Sequence, residues 1–432
     1  MIFSKFNFFF QHNKKCFVYN SISNAFLELD NDTYSFLNRT MINNDIIKNL
    51  EEELVQLLVQ KKIIVSNDWE DVNLIKYETH LRRYDKSILN LTIAPTYACN
   101  FNCYYCYENT RPNVFMSKET EKNLIKFIKN SESEIIDITW YGGEPLLNFD
   151  VMLRVSNTIR NDLKKELTAS IITNGYLLNR NVIDRLEGIN INKIQITIDG
   201  IGEKHNEKRT HIKGYNTFDK IIKNIKLLQK LQPSVEIAIR VNIDKNNKDA
   251  FIDVYNYFYS QFDMKNTFVA PAFIDYTTDG CNDISDCLID TNDKLSFPFD
   301  IYKKYGLQVD SFYPSNDRYE CMARNINSYV IGADGLAFKC YNDIGDSSKA
   351  VLNINNSSES NQIVEAMYMT GSDPLSDNNC LNCNLLPVCS GGCPYERFKY
   401  DYNNSTENNF CSKFKDNLKN NLIFHYENFI NK

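Results

Sequence analysis

The sequence lacks any apolar run close to the roughly 20 residues that a membrane-spanning helix needs. Even the Phe-rich start, residues 1–10, is interrupted by Ser4, Lys5 and Asn7, so we expect a non-exported, cytoplasmic protein. An excess of positive charge is also lacking, because 48 Lys and Arg stand against 55 Asp and Glu, a formal charge of −7. This balance excludes a polycationic nucleic-acid binder.

Histidine is scarce, which limits the ligands that a metal could use. The chain has five histidines, none of them close in sequence to the main cysteine groups. They are His12, His80, His205, His211 and His425. Cysteine is abundant, with 13 residues, an odd number that cannot pair completely. In a reducing compartment thiolates hold metals rather than form disulfides, so any metal chemistry here is expected to be thiolate chemistry.

The N-terminal part of the chain predicts a small unit of one hairpin and helices. The 432 residues, 43% of them hydrophobic, exclude disorder and suggest two to four packed units. Residues 17–19 and 25–27 read as strands of a hairpin around a polar stretch. Asp30 or Asn31 could cap a first helix, and a second helix is predicted near residues 51–62, before a strand at 63–65.

Between about residues 88 and 274, strand patterns alternate with helical patterns. The strand candidates are residues 89–94, 135–140, 169–173, 193–198, 235–241 and 267–270. The helical candidates are residues 118–129, 151–163, 182–186, 218–231 and 251–262. Six such repeats predict a parallel sheet, because each crossover needs a helix to return the chain. A full eightfold barrel would usually be longer, so we expect an α/β fold with a partial (β/α)6 TIM-like barrel, open on one side.

Three cysteines follow the first strand of this region directly. Cys99, Cys103 and Cys106 have the spacing C-x3-C-x2-C, at a strand end where parallel α/β folds place their chemistry. Three thiolates on one loop can hold three irons of a 4Fe–4S cluster and leave the fourth iron open for a ligand. The alternative is a zinc site or a set of unrelated buried thiols.

This loop resembles the signature of the radical S-adenosylmethionine (SAM) superfamily, which has an aromatic residue before the last cysteine, here Tyr105. Trp140-Tyr141-Gly142-Gly143-Glu144-Pro145 is similar to the family's Gly-Gly-Glu-Pro motif, whose backbone meets the methionine amino group. Thr173-Asn174-Gly175 ends the third strand. The stretch from Gln195 to Gly200, followed by His205 and Arg209, and the stretch Ile239-Arg240-Val241-Asn242 look like the family's fourth and fifth strands. The resemblance implies SAM-binding roles for Tyr105, Gly142, Gly143, Glu144, Pro145, Thr173, Asn174, Thr197 and Arg209.

A second cysteine series resembles the SPASM extension of these enzymes, which binds two auxiliary 4Fe–4S clusters. Between predicted strands at 329–331 and 336–338, Asp334-Gly335 reads as a hairpin turn. The series is Cys321, Cys340, Cys380, Cys383, Cys389, Cys393 and Cys411. The resemblance implies a nearer cluster on Cys321, Cys340 and Cys393, and an outer cluster on Cys380, Cys383, Cys389 and Cys411. Structural zinc knots are the alternative.

The nearer cluster departs from the fully ligated pattern. Ser315 stands where an eighth cysteine is expected, so one iron would stay open or borrow Cys281 or Cys287. For those two cysteines, free buried thiols are the simpler interpretation.

The resemblance implies an enzyme in which a reduced cluster splits SAM and the resulting radical takes hydrogen from a substrate. Residues 1–85, 86–300 and 301–432 would be a leader-recognition domain, the radical SAM core and the SPASM domain. The implied partners are a precursor peptide with a leader segment, which a sheet edge could bind as an added strand, and an electron donor such as flavodoxin or ferredoxin. The N-terminal domain could instead be a stabilising cap.

Two alternatives remain open. A sulfatase-maturing enzyme that makes formylglycine would generally have an aspartate after the second SPASM cysteine, where this chain has Tyr341, with Asp343 two places later. A non-catalytic metal-binding scaffold would not need the motifs at residues 142–145 and 173–175.

Overall fold

The computed structural model describes residues 1–40, 51–106, 112–274, 288–316, 321–356, 358–402 and 410–430. The chain forms two compact units. The first consists of residues 1–85, 310–326 and 366–432, and the second of residues 86–309 and 327–365. The N-terminal segment thus packs in one unit with the segment that contains most of the C-terminal cysteines. The predicted division into functional domains at residues 85 and 300 stays a prediction.

The first unit contains a three-stranded antiparallel sheet in the order β2-β3-β4 and a two-stranded pair of β1 with β5. Its strands are β1 (Ile2–Phe3), β2 (Asn7–His12), β3 (Lys15–Asn20), β4 (Ala25–Leu29) and β5 (Ile64–Val65). Its helices are Asn31–Thr40, Glu52–Gln60, Asp68–Arg83, Asn378–Leu381, Leu386–Cys389, Pro394–Tyr402 and Leu418–His425.

Both faces of the three-stranded sheet are covered. One face contributes aromatic side chains to a cluster with the C-terminal helix, formed by Phe10, Phe17, Tyr19, Leu418, Leu422 and Tyr426. The other face packs on the first two helices and the chain that follows them, through Val18, Leu37, Leu58, Ile63 and Ile64. Each fully buried side chain of this size contributes about 1.5–3 kcal/mol. Among the residues described, no further strand pairs with the outer edges of β2 and β4.

The predicted hairpin is present as β3 and β4, but the prediction missed β2 and the helix Asp68–Arg83. β2 joins β3 through Asn13 and Lys14, both with positive φ, 49° and 64°. A tight turn of this kind usually carries glycine, so its absence removed the sequence signal. The Asp30 carboxylate caps the first helix, accepting from the Thr33 N–H at 2.7 Å.

The second unit is built on one nine-stranded sheet in the order β11-β10-β9-β8-β7-β6-β12-β13-β14. Its strands are β6 (Ile88–Ile93), β7 (Ile135–Trp140), β8 (Glu166–Thr173), β9 (Ile191–Thr197), β10 (Glu236–Ile243), β11 (Thr267–Phe273), β12 (Ser328–Ile331), β13 (Leu336–Phe338) and β14 (Leu352–Asn353). Its helices are Lys118–Asn130, Phe149–Asn157, Arg180–Ile183, Glu203–Lys208, Phe218–Leu231, Ala250–Gln261 and Thr291–Tyr305, and Gln362–Ala366 crosses the boundary between the units. β6 to β11 are parallel, which is the partial barrel that the sequence predicts.

The strands of the parallel sheet alternate between a buried apolar face and a polar, half-exposed face. On β8, for example, Ala169 and Ile171 are buried among the helices, whereas Thr168 and Ser170 are half-buried. Polar residues of the second face come from four strands: Asn90, Thr92, Asp137, Thr139, Thr168, Ser170, Arg240 and Asn242. A face of this composition can bind a polar ligand, since no apolar core fills it.

Strand positions are predicted well, and helix ends less well. β7 matches residue for residue, and β12 and β13 form the predicted hairpin, with Gly335 at a φ of 88°. The helix predicted over 151–163 is α-helical only over Phe149–Asn157 and continues as a π-helix over Thr158–Asp162. The helix predicted over 182–186 is instead the short helix Arg180–Ile183. The parallel pairing of β12 with β6 had no sequence signal.

Within the described residues, no helix combines the length and apolarity needed to cross a bilayer.

Candidate active site

The loop with the first three cysteines follows β6 and is fixed by its neighbours. The Ala94 N–H donates to the Ile331 carbonyl of β12 at 2.9 Å, and the Tyr97 N–H donates to the Val114 carbonyl at 3.0 Å. The Tyr97 hydroxyl donates to the Asp334 carboxylate at 2.9 Å. These bonds place the start of the loop before any ligand binds.

Cys99, Cys103 and Cys106 are all partly exposed on this loop. The Phe101 N–H donates to the Cys99 Sγ at 3.4 Å. Among the described residues, no three Cys, His, Asp or Glu side chains converge on a point where a single metal ion would sit. Zinc needs four donors around one centre at about 2–2.3 Å, whereas a 4Fe–4S cube takes its thiolates at separate corners.

Gly142 and Gly143 pack against the cysteine loop so closely that no side chain fits between them. A Cβ on Gly143 would lie 2.4 Å from the carbonyl oxygens of Tyr97 and Ala98, and a Cβ on Gly142 would lie 2.5 Å from that of Thr96. Gly142 also has a φ of +103°. These glycines are needed first for contact between the end of β7 and the loop, and their predicted approach to a cofactor stays a prediction.

Glu144 links the cysteine loop to the end of β8. Its N–H donates to the Ala98 carbonyl at 2.9 Å. Its carboxylate accepts from the Thr173 hydroxyl at 2.7 Å and from the Asn174 N–H at 2.8 Å. Burial raises the pKa of Glu144, and the hydrogen bonds from Asn174 and Thr173 oppose that rise. Pro145 then begins the turn Pro145–Asn148. The structure thus brings the second and third predicted motifs together on the first.

A buried network surrounds the Tyr105 hydroxyl, which donates to the Asp199 carboxylate. The same hydroxyl accepts from Arg209 Nη1 at 2.6 Å and from Asn242 Nδ2 at 3.1 Å. Arg209 also lies 3.7 Å from Asp199, and Thr197 ends β9 just before this network. The sequence analysis assigned cofactor-binding roles to Tyr105, Thr197 and Arg209. It quoted Asp199 and Asn242 within the fourth- and fifth-strand motifs but gave them no role, although both lie at strand ends where such sites form.

Within the second unit, Tyr141 lies near cysteines of both series. Its ring centroid is 6.3 Å from that of Tyr341, the residue after Cys340. Burial raises the pKa of Tyr141, the thiols of Cys106 and Cys340 raise it further, and the Arg240 guanidinium opposes them. The end of β7 is therefore close to Cys106 of the first cysteine loop and to Cys340 of the second series.

Four cysteines of the second series line one cavity of about 570 Å³ in the first unit. They are Cys380, Cys383, Cys389 and Cys411. Two cationic side chains, Arg397 and Lys415, line the same cavity. Burial raises the pKa of the Cys380 thiol to about 11, and Arg397 opposes that rise. Four thiols with two cations suit a negatively charged iron–sulfur cluster.

The remaining cysteines are placed as follows. Cys321 and Cys393 belong to the first unit, where Cys393 directly precedes the helix Pro394–Tyr402. Cys340 is buried in the second unit, two residues after β13. Ser315 is exposed. Two further cysteines lie outside the described residues, Cys281 and Cys287. The predicted ligands of the nearer cluster stay a prediction.

The chain is similar to known radical SAM proteins. The Radical SAM superfamily model matches residues 93–258. The radical SAM cyclopropyl synthase TigE of Paramaledivibacter caminithermalis is 24% identical over 430 residues, covering 87% of this chain and 85% of that protein. The cysteine-type anaerobic sulfatase-maturating enzyme of Clostridium novyi is 24% identical over 371 residues, covering 77% of this chain and 95% of that enzyme.

A solved structure with the same fold is that of Streptococcus suis SuiB bound to the precursor peptide SuiA. It matches with a TM-score of 0.50 and 15% identity, and covers 91% of this chain and 95% of SuiB. The likeness therefore extends beyond the parallel sheet to most of the chain.

Proposed function

We propose that this chain, whose residues 93–258 match the Radical SAM superfamily model, oxidatively modifies a ribosomally made precursor peptide and forms a thioether or carbon–carbon cross-link. The observation that carries this proposal is the cysteine loop after β6, held by the Gly-Gly-Glu-Pro turn after β7 and linked through Glu144 to the end of β8. Three strand ends of a parallel sheet thus share one site, the usual position for chemistry in such folds.

The proposed cofactors are SAM and three 4Fe–4S clusters, one on Cys99, Cys103 and Cys106 and two on the SPASM series. When bound, these groups supply one-electron bond cleavage and hydrogen-atom abstraction. Flavodoxin or ferredoxin is the proposed electron donor. An auxiliary cluster would give the substrate's second electron a destination, which a closed-shell oxidised product requires.

The protein's own residues position the reactants and exclude water. Arg209, buried and fixed by Tyr105, supplies a cation suited to the SAM carboxylate. Tyr141 and Tyr341 form an aromatic wall beside Cys106 and Cys340, where a peptide side chain would be held close to both cysteine series. Such positioning is the main task of the protein in hydrogen abstraction.

A peptide substrate is supported by the sheet of the first unit. Both faces of β2-β3-β4 are packed against helices, so the strand edges are what remains for a partner. An extended leader segment could pair with the edge of β4, as in other complexes where a peptide adds a strand. SuiB, with the same fold, was solved with its precursor peptide bound, which supports this choice of substrate class.

Formylglycine formation is the second candidate, because the chain is similar to a sulfatase-maturating enzyme. Two side chains weigh against it. Tyr341 stands where an aspartate is expected after Cys340, and Asp343, two residues further on, is only 5% exposed. We therefore retain peptide cross-linking as the proposal.

The first test asks whether the protein is an enzyme or a metal-binding scaffold. Anaerobically reconstituted protein is given dithionite and SAM, and 5′-deoxyadenosine is measured by liquid chromatography. The proposal expects its release, whereas intact iron–sulfur clusters without release would favour the scaffold.

The second test addresses the substrate. The chain is co-expressed with each short peptide that the reading frames next to its gene encode, and the peptide is analysed by mass spectrometry. Cross-linking predicts the loss of two hydrogens per modification, and an unchanged mass would contradict oxidative coupling. A formylglycine product on a sulfatase peptide would instead establish the second candidate.

Leader binding is measured by fluorescence anisotropy with two versions of the leader peptide, N-methylated at odd or at even positions. Pairing with a strand edge predicts that only one version loses affinity, because alternate amides face the strand. Equal affinities would contradict pairing.

A further inference from the structure

The cavity lined by Cys380, Cys383, Cys389 and Cys411 contains more than thiols. Its wall includes Arg397 and Lys415, and each of these cations contacts a different cysteine. Arg397 Nη2 lies 3.0 Å from the Cys380 Sγ. Lys415 Nζ lies 3.5 Å from the Cys383 Sγ. Both contacts lie within the first unit. Arg397 is 17 residues from Cys380 in sequence, and Lys415 is 32 residues from Cys383.

Arg397 is held in place from several sides. It is 3% exposed, its Nη1 donates to the Asp377 carboxylate at 2.7 Å, and its Nη2 also donates to the Gly391 carbonyl at 3.2 Å. Its guanidinium stacks over the Phe410 ring at 4.1 Å. The Arg397 Nε is buried and has no hydrogen-bond partner among the described residues. A buried arginine fixed in this way directs its charge at the Asp377 carboxylate and the Cys380 thiol rather than at water.

Lys415 differs from Arg397 in its exposure. The side chain is on the surface at the rim of the cavity, so solvent screens its charge. Its effect on anything in the cavity should therefore be weaker than that of Arg397.

From these contacts we propose that Arg397 and Lys415 raise the reduction potential of the outer auxiliary cluster, so that it can accept electrons from the reaction. The inference rests on the proposed function, because it takes the four cysteines as cluster ligands. Reduction adds one negative charge to a cluster that already carries four thiolates. Nearby cations and hydrogen bonds to the cluster sulfurs stabilise the reduced form, so they raise the potential.

The test is a potentiometric titration of the anaerobically reconstituted full-length protein, followed by electron paramagnetic resonance. Cys103→Ala serves as the background, since it removes a ligand of the SAM-binding cluster but none of the outer one. At a fixed potential, Arg397→Gln should lower the reduced-to-oxidised ratio of the outer cluster at least tenfold, equivalent to about 59 mV for one electron. Lys415→Gln should lower it about threefold, by the same argument with solvent screening.

Lys413→Gln is the matched control. Lys413 lies two residues from Lys415, but it pairs with Asp310 and donates to the Ser311 carbonyl at 3.1 Å, and within the described part of the chain it makes no hydrogen bond to a cysteine. Its removal should leave the titration unchanged. Arg397→Lys keeps the charge and should restore most of the ratio.

The outcomes separate this inference from the function on which it rests. If the outer cluster is present and both Arg397→Gln and Lys415→Gln titrate like the Lys413→Gln control, the tuning role is wrong and the proposed function stands. If Arg397→Gln fails to fold, the tuning role is judged from Lys415→Gln alone, because Lys415 is exposed and its replacement should not impair folding. Absence of iron at these four cysteines would overturn the ligand assignment and the inference together.

Discussion

Substitution of Gly143 by alanine tests whether the Gly-Gly-Glu-Pro turn positions the cysteine loop. The added methyl would lie 2.4 Å from the carbonyl oxygens of Tyr97 and Ala98, where ordinary contact begins at 3.4 Å. The loop must therefore retreat by about 1 Å, an overpacking that costs about 1–3 kcal/mol. The same contact includes the hydrogen bond from the Gly143 N–H to the Thr96 carbonyl, which contributes about 1 kcal/mol. We expect a loss of about 3 kcal/mol in the free energy of unfolding.

The functional effect should exceed the loss of stability. Cys99, a proposed cluster ligand, directly follows Ala98, so a shift of about 1 Å would displace it, and displacements of this size lower rates about 100-fold. The assays are anaerobic urea unfolding and the rate of 5′-deoxyadenosine release. Gly188→Ala is the control, because its Cβ meets only the movable end of the Leu153 side chain at 3.0 Å. A Gly143→Ala protein that matches this control in both assays would refute the reasoning.

Three further predictions follow from the same site. Tyr105→Phe removes the hydroxyl that bonds to Asp199, Arg209 and Asn242, so the free energy of unfolding should fall by about 2 kcal/mol. Tyr215 is exposed, so the control Tyr215→Phe should leave the free energy of unfolding unchanged. Burial and Arg209 lower the pKa of His205 well below 6.5, so near that pH the imidazole gains a proton only in the unfolded chain. The free energy of unfolding should therefore fall as the pH drops below about 6.5, by up to about 1.4 kcal/mol per pH unit. In His205→Asn, which keeps an acceptor for the Asp199 N–H, urea unfolding between pH 5.5 and 7.5 should show a shallower slope, and equal slopes would contradict the assignment. Cys103→Ala should abolish 5′-deoxyadenosine formation and leave the outer auxiliary cluster intact, so retained turnover would show that Cys103 is not a ligand.

The parallel sheet could be predicted because each of its strands has a recognisable pattern within its own short segment. β7 alternates buried and half-buried side chains, and a glycine pair follows it after Tyr141, so its bounds can be predicted from the sequence. β2 was missed because three consecutive phenylalanines hide the alternation, and because the turn at Asn13 and Lys14 contains no glycine. Its position depends on cross-strand packing with β3, such as Phe10 opposite Phe17, which single-sequence patterns do not contain.

The candidate site also has features that the sequence predicts and features that depend on packing. The cysteine spacings and the motif at Glu144 could be read directly, since each is a short segment at a strand end. Asp199 was within reach of that reasoning but was not selected. The contacts of Arg397 and Lys415 with cysteines could not be predicted, because they depend on how distant segments pack within the first unit. Neither cation belongs to a spacing pattern that would single it out from the other charged residues.

The most direct test of the central claim is the iron, inorganic sulfide and zinc content of the chain purified and reconstituted without oxygen. Three four-iron clusters predict about 12 iron and about 12 sulfide per chain, falling by about a third when Cys99, Cys103 and Cys106 are replaced by alanine together. Protein that contains zinc and neither iron nor sulfide would contradict the account.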